Sequence, residues 1–247
     1  MHITTSACTQ PTITFSHTET GLRRQLPTGF LFSVFSVNCG FEMRKKTGKY
    51  ELGFTAGALL LKESVSVATL YLQIRDWGQV KEKTVSENIL QVRTVASSKR
   101  LAKEIVNRLE KLTIDQLQLL VEGSLAEKKA IAWLAVCKKY LFIAEFAREV
   151  VREKFLKLDY HLTRDDYRIF FNVKAEWHSE LESLTEKTKV KIQQRLFRML
   201  LEAEIISAQD MIIPALLPNS VIDVIREEQS SMLTIFPVYD NVVGVKK

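Results

Sequence analysis

Residues 183–214 read SLTEKTKVKIQQRLFRMLLEAEIISAQDMIIP. Wound as a helix at about 100° per residue, Lys187, Lys191, Arg195 and Arg198 fall within about an 80° arc. Val190, Phe197, Leu200 and Leu201 fall on the other side, joined by Ile192, Leu196 and Met199 over a wide arc. One face can pack, and one narrow stripe carries four cations with a single acid, Glu202, at its far end. A solvated structural face would interleave Glu and Lys to gain i,i+4 pairing. A like-charge stripe forgoes that stabilisation and points to an anionic partner. In a major groove, Lys and Arg would meet phosphates or the guanine edge, and Gln193 or Gln194 could read adenine. Phosphate contacts would supply most of the affinity. The candidate set on this helix is Lys187, Thr188, Lys191, Gln194, Arg195 and Arg198.

A second basic group lies upstream. Lys99, Arg100, Lys103 and Lys111 line the polar side of a predicted helix over 99–112, with Arg93 just before it. Glu104 and Glu110 dilute this group, so a solvated face is as good a reading as a binding face.

Catalytic chemistry finds little footing. The chain has no GxxxxGK[ST], GxGxxG or GxSxG stretch, so phosphate-loop and hydrolase-elbow backbones are missing. His2, His17, His161 and His178 form neither HxH nor HExxH. The acids Asp159, Asp165, Asp166, Glu176 and Glu180 sit on predicted helices without the strand pair of a magnesium nuclease site. No enzyme, no metal and no cofactor are expected.

The elements that must position these residues are nearly all helical. Residues 50–63 read as a short apolar helix. Residues 64–77 can start with Ser64 as N-cap and stop at Gly78. A helix over 84–96 follows, broken by Ser97–Ser98, and then the amphipathic helix 99–112 with Leu101, Ile105, Leu109 and Leu112 as its apolar stripe. Helix, short break, helix is compatible with a helix-turn-helix. Residues 113–123 carry Thr113 as cap and Gly123 as stop. Residues 124–156 read as a long helix or a pair. The run from Ala130 to Ala147 is apolar on most sides, but Lys138, Lys139, Glu145 and Arg148 interrupt it, which favours a buried bundle helix over a membrane span. A helix over 163–178 has Thr163 as N-cap and Asp165 and Asp166 in its first turn, where the dipole favours acids. The cation helix runs from a Ser183 or Thr185 cap to about Glu204. Ile205–Ile206 and Met211–Ile213 then read as two short strands around a Ser–Ala–Gln–Asp turn. Helix, helix, hairpin is the order of a winged helix, whose second helix enters the major groove.

Residues 1–42 differ from everything after them. They contain no Lys and no Asp, and Arg23 and Arg24 balance Glu19 and Glu42. The formal net charge of +6 therefore lies wholly in residues 43–247. The apolar run 29–41 is too short to span a membrane, which needs about 20 residues. It also lacks a clear signal-peptide cleavage site. The reading preferred here is that Met43 is the true start, with an unstructured extension as the next choice. The expected organisation is thus an extension over 1–42, a helix-turn-helix-like part over 43–123, and a C-terminal helical part over 124–247 with the winged-helix-like unit at 163–214.

Composition fits a globular chain of ordinary balance, with 46% apolar and 26% charged residues. A pI near 9.1 suits a nucleic-acid or anionic partner without proving one. Cys8, Cys39 and Cys137 are too far apart for a zinc ribbon or a CxxC pair, so a reducing cytoplasm is expected, with Cys137 as a small buried apolar group.

Four segments carry a family resemblance by their order and spacing: YELGFTAGALLLKESVSVATLYL, ENILQVRTVASSKRLAKEIVNRLEKL, CKKYLFIAEFAREVVREKF and TEKTKVKIQQRLFRMLLEAEII. Each alone is a generic amphipathic helix. Together, over about residues 48–240, they resemble the BrxA family, small components of bacterial BREX (bacteriophage exclusion) systems. The resemblance implies a mainly α protein similar in outline to the NusB antitermination fold, with helix-turn-helix-like parts. It implies DNA binding without catalysis in a system that methylates host DNA and blocks phage replication. The implied partners are double-stranded DNA and the other BREX components: a methyltransferase, a phosphatase-like protein and a large ATPase. Members have sometimes been labelled inner-membrane proteins, and the charge-interrupted helix 124–156 argues against that for this chain. Two other functions stay open at this point: an RNA-binding regulator like NusB, and a protein-only scaffold between defence components.

Overall fold

The computed structural model describes residues 49–244; the expected extension over 1–42, with Cys8 and Cys39, lies outside them. The chain is mainly helical, as expected. A 3-10 turn at Gly53–Ala56 replaces the short helix expected over 50–63. Leu60 then takes a left-handed backbone conformation (φ 58°) and starts α1, Leu61–Ile74. Ser64, expected as a cap, is buried inside α1. Left-handed Arg75 ends the helix, and Asp76 caps α2, Trp77–Ser86, accepting from the Gln79 amide at 2.7 Å. Gly78 is thus an early helical residue, not a stop.

The expected break at Ser97–Ser98 lies elsewhere. The chain turns over 87–94, where Asn88 and Gln91 both take positive φ. Thr94 caps α3, Val95–Leu109, by accepting from the Ser97 amide at 3.2 Å. Ser97 and Ser98 sit in the first turn, which tolerates serine as readily as a break does. Thr113 and Ser124 each close a full capping box, starting α4 (Ile114–Glu122) and α5 (Leu125–Lys139). Gly123 ends α4, as read.

Ala130 to Cys137 are all buried, so α5 is the expected core helix. The cations that interrupt its apolar run are partnered at its rim. Lys138 pairs with Glu228, and Lys139 pairs with Glu51 at 2.7 Å. Tyr140 breaks the helix with extended backbone. The chain resumes as α6 (Leu141–Phe146), a π-helical stretch (Ala147–Arg152) and α7 (Glu153–Leu156). Among the described residues no helix is long and apolar enough to cross a membrane.

The last third comprises α8 (Arg164–Ala175), α9 (Ser179–Glu182), α10 (Glu186–Glu202), α11 (Asn219–Gln229), a 3-10 turn (Ser230–Ile235) and α12 (Asp240–Val243). Edge-to-face aromatic packing joins α6 to α8: Phe142 meets Phe170 at 5.3 Å and Phe146 meets it at 5.2 Å between ring centroids. Trp133, fully buried on α5, donates its indole N–H to the Ile235 carbonyl at 3.1 Å. Buried apolar residues from Tyr50 to Val243 form one cluster.

The expected hairpin strands do not form among the described residues. Ile206 pairs with Ile212, and His161 with Met211, each as an isolated antiparallel bridge. Left-handed Glu204 (φ 58°) turns the chain straight off α10, and pairing between the two arms stops at two bonds, the Ser207 amide to the Met211 carbonyl at 2.8 Å and the Ile213 amide to the Ile205 carbonyl at 2.9 Å. The Ile212 amide donates instead to the Tyr160 carbonyl at 2.7 Å. A winged-helix hairpin is therefore absent as regular structure.

Candidate nucleic-acid interface

Thr185 caps α10, its hydroxyl accepting from the Thr188 amide at 3.3 Å. Ile192, Leu196, Phe197, Met199 and Leu200 are buried and hold the helix down. The opposite face presents the stripe. Lys187, Lys191, Gln194 and Arg198 are exposed, and Arg195 is half-buried. Together with Val190 and Glu186 these five side chains line one open surface depression. Among the described residues Lys187, Lys191 and Arg195 have no ion pair or side-chain hydrogen bond, and the acids at the two ends, Glu186 and Glu202, pair with Lys189 and Arg198 instead.

Arg198 differs. Its Nε donates to Glu202 Oε1 at 2.6 Å, and Glu202 Oε2 accepts from the Leu59 amide at 2.9 Å. Glu202 closes the stripe and ties it to the 57–60 loop. The pairing of Arg198 with Glu202 was legible at i,i+4 spacing; Leu59, 143 residues away, was not. Thr188 is bound into the helix cap, its hydroxyl 2.9 Å from that of Thr185. The two glutamines separate: Gln193 donates to the Arg164 carbonyl at 3.2 Å, whereas Gln194 stands in the stripe.

The upstream group sits on and before α3. Arg93, Lys99, Arg100 and Lys103 are all exposed and have no ion pair among the described residues. Glu104 does not dilute them. It is buried, with Arg108 Nε and Nη2 both 2.7 Å from its Oε1 and the Tyr140 hydroxyl donating to the same oxygen at 2.5 Å. Burial, then the Glu104 carboxylate, raise the Tyr140 phenol well above its ordinary range. Glu110 lies beyond the last residue of α3.

Two of the α3 cations, Lys99 and Lys103, face away from α10. Arg108 Nη1 donates to the Ala58 carbonyl at 2.7 Å, and the Leu59 amide of the same peptide donates to Glu202 at 2.9 Å. Carbonyl and N–H of a trans peptide point oppositely. So α3 and α10 approach this peptide from opposite sides. Lys99 and Lys103 lie about 180° and 140° round α3 from Arg108, away from α10.

Four of the five acids weighed for metal chemistry have other partners, and Glu176 has none among the described residues. Lys154 holds Asp159 at 2.6 Å and Asp166 at 3.2 Å, Arg168 holds Asp165 at 2.7 Å, and Glu180 accepts from the Tyr50 amide at 2.5 Å. Among the described residues no group of His, Cys, Asp or Glu could hold a metal ion. Cys137 is buried, and burial raises its thiol well above the ordinary range.

Comparison with known proteins agrees with this architecture. Residues 48–229 match the model of the BrxA family. The chain is 34% identical over 154 residues to "BREX protein BrxA" of Bacillus cereus (strain H3081.97), covering 62% of this chain and 77% of that relative. It is 28% identical over 171 residues to "BREX protein BrxA" of Escherichia coli O9:H4 (strain HS), covering 69% and 80%. In three dimensions it is similar to the crystal structure of an uncharacterized protein from Magnetospirillum magneticum, with a TM-score of 0.65 and 22% identity. That match covers 76% of this chain and 97% of that one. This last similarity concerns the fold alone.

Proposed function

This chain belongs to the BrxA family, and we propose that it serves BREX phage defence as a double-stranded DNA-binding accessory protein that performs no catalysis itself. The observation that carries this reading is the α10 face: Lys187, Lys191 and Arg195 are unpaired among the described residues and oppose a side packed by Ile192, Leu196, Phe197, Met199 and Leu200, while Val190 and Leu201, read as packing residues, are exposed. Leaving three cations unneutralised on one rigid helix forgoes local pairing and favours a polyanion. The chain order around α10 supports a reduced winged helix. α8 and α10 pack together, since Gln193 donates to the Arg164 carbonyl and the Arg164 guanidinium lies 3.4 Å over the Phe197 ring. Gln194 is the side chain with amide geometry for adenine. Arg93, Lys99, Arg100 and Lys103 offer a second set of phosphate contacts. No membrane anchor is part of this proposal.

The test is retention on a 30-base-pair duplex across a salt series. Wild-type affinity should fall steeply with salt, by a log–log slope of about 0.9 for each phosphate neutralised. Lys191→Glu with Arg195→Glu should weaken binding at least tenfold and flatten that slope. Unchanged binding by this variant would remove α10 from the interface. The deep groove of an RNA helix excludes α10, so a structured RNA should compete poorly; one that outcompetes the duplex would replace DNA by RNA as the partner.

A further inference from the structure

The helix pair that presents the cation stripe has a second outer face. On α8, Ile169 and Val173 are 65% and 51% exposed, and Trp177, in the turn that follows, is 80% exposed. They recur every four residues and so form one ridge. The packing of α8 is already satisfied elsewhere, by buried Tyr167, Phe170 and Phe171. A tryptophan and two branched aliphatics in one line, open to water, mark a contact surface.

Contacts fix its direction. Arg164 lies over Phe197, Gln193 reaches the Arg164 carbonyl, and the Lys189 ammonium lies 5.8 Å from the Phe171 ring. α10 therefore sits on the Arg164 and Phe171 side of α8. Ile169 and Val173 lie about 140–180° round α8 from those two residues. Lys191 and Arg195 lie about 120–160° round α10 from Lys189, Gln193 and Phe197. The apolar ridge and the cation stripe face away from each other.

Charge selects the occupant. Glu176 beside Trp177 is exposed and has no ion pair among the described residues. Asp165 heads the ridge, paired with Arg168. Unpaired carboxylates repel a phosphate backbone and anionic lipid alike. A second copy fits poorly. Two ridges side by side would meet along only about 12 Å of helix, far short of the roughly 800 Å² per partner of a stable dimer. A groove closes round a helical ridge on both flanks and needs no more length. We propose that Ile169, Val173 and Trp177 dock into an apolar, cation-rimmed groove on another protein of the BREX system, while α10 stays free for duplex. This rests on the BREX setting of the preceding reading, not on its DNA contact.

The test immobilises the full chain and presents the other proteins of its BREX system one at a time, each purified. At least one should bind, and Ile169→Asp with Trp177→Asp should weaken that binding at least tenfold without changing duplex retention or helical circular dichroism. Trp177→Ser alone is the milder variant should the double one misfold. Lys191→Glu with Arg195→Glu should keep the protein partner. The inference is overturned if no component binds, if binding survives the ridge variants, or if those variants abolish self-association in light scattering instead. Ridge-dependent capture by a chain that retains no duplex would sustain the docking and reject the DNA reading.

Discussion

At the scale of single residues, the caps do more than start helices. Burial pushes the Asp166 carboxyl up, but the Thr163 amide and hydroxyl, at 2.7 and 2.8 Å, and Lys154 outweigh it and hold it below its ordinary 3.8. The folded chain therefore takes up this proton less readily than the unfolded chain. Its contribution is complete above 3.8 and is lost as pH falls from there through the lower folded value. The Glu180 carboxyl, where burial is outweighed by the Tyr50 amide, acts in the same sense. Asp166→Asn should lower the urea midpoint at neutral pH and flatten its fall below pH about 4. An acid slope identical to wild type would show that Asp166 contributes nothing. Thr163 and the first-turn acids were legible because a cap involves neighbours three residues apart. Thr188 and Gln193 were not, since only the fold shows that their polar atoms are already in use.

At the scale of elements, side-chain caps and a crowded glycine were easier to read than breaks made by ordinary residues. Gly123 ends α4 at ordinary φ, but a Cβ there would stand 2.5 Å from the Leu119 carbonyl oxygen and 3.0 Å from Glu127 Cβ. Gly123→Ala should therefore displace the α4–α5 junction and cost about 1–3 kcal/mol. At Gly53 the nearest atom to a new Cβ, the Tyr140 hydroxyl, is 3.9 Å away, so Gly53→Ala should change the thermal midpoint little. Equal midpoints for the two variants would refute the crowding at Gly123. Ser64, Gly78 and the Ser97–Ser98 pair were misread for one reason. Serine and glycine are tolerated within a first turn as well as outside it, and the true breaks at Leu60, Arg75, Asn88 and Gln91 are left-handed non-glycine residues with no compositional signature. The hairpin failed for a related reason. Period-two apolar pairs predict strands, but left-handed Glu204 and Asp210 bracket the segment, and only the Ser207 and Ile213 amides donate between its two arms.

At the scale of the whole molecule, one peptide links distant parts. Arg108 is fully buried, satisfies Glu104, and grips the Ala58 carbonyl while Glu202 of α10 takes the Leu59 amide. Arg108→Ala would strand the Glu104 carboxylate in the core and release the loop, a loss of about 3–5 kcal/mol in urea unfolding. Glu104→Gln added to it should recover part of that loss by removing the stranded charge. A single-variant cost below about 1 kcal/mol would mean that the clasp does not hold the loop. The same geometry turns Lys99 and Lys103 of α3 away from α10.

Helical class, the caps at Thr113, Thr163 and Thr185, the buried character of Ala130–Cys137 and the cation stripe of α10 all follow from spacings within a few residues. Such spacings act through local hydrogen bonds and one helical period, so the chain states them without its fold. Which glutamine faces out, whether Glu104 screens its cations, and which way Ile169, Val173 and Trp177 point depend on partners far away in sequence. Those are settled only when α3, α8 and α10 are packed, because a side chain's free energy is set by what it meets there and not by its neighbours along the chain.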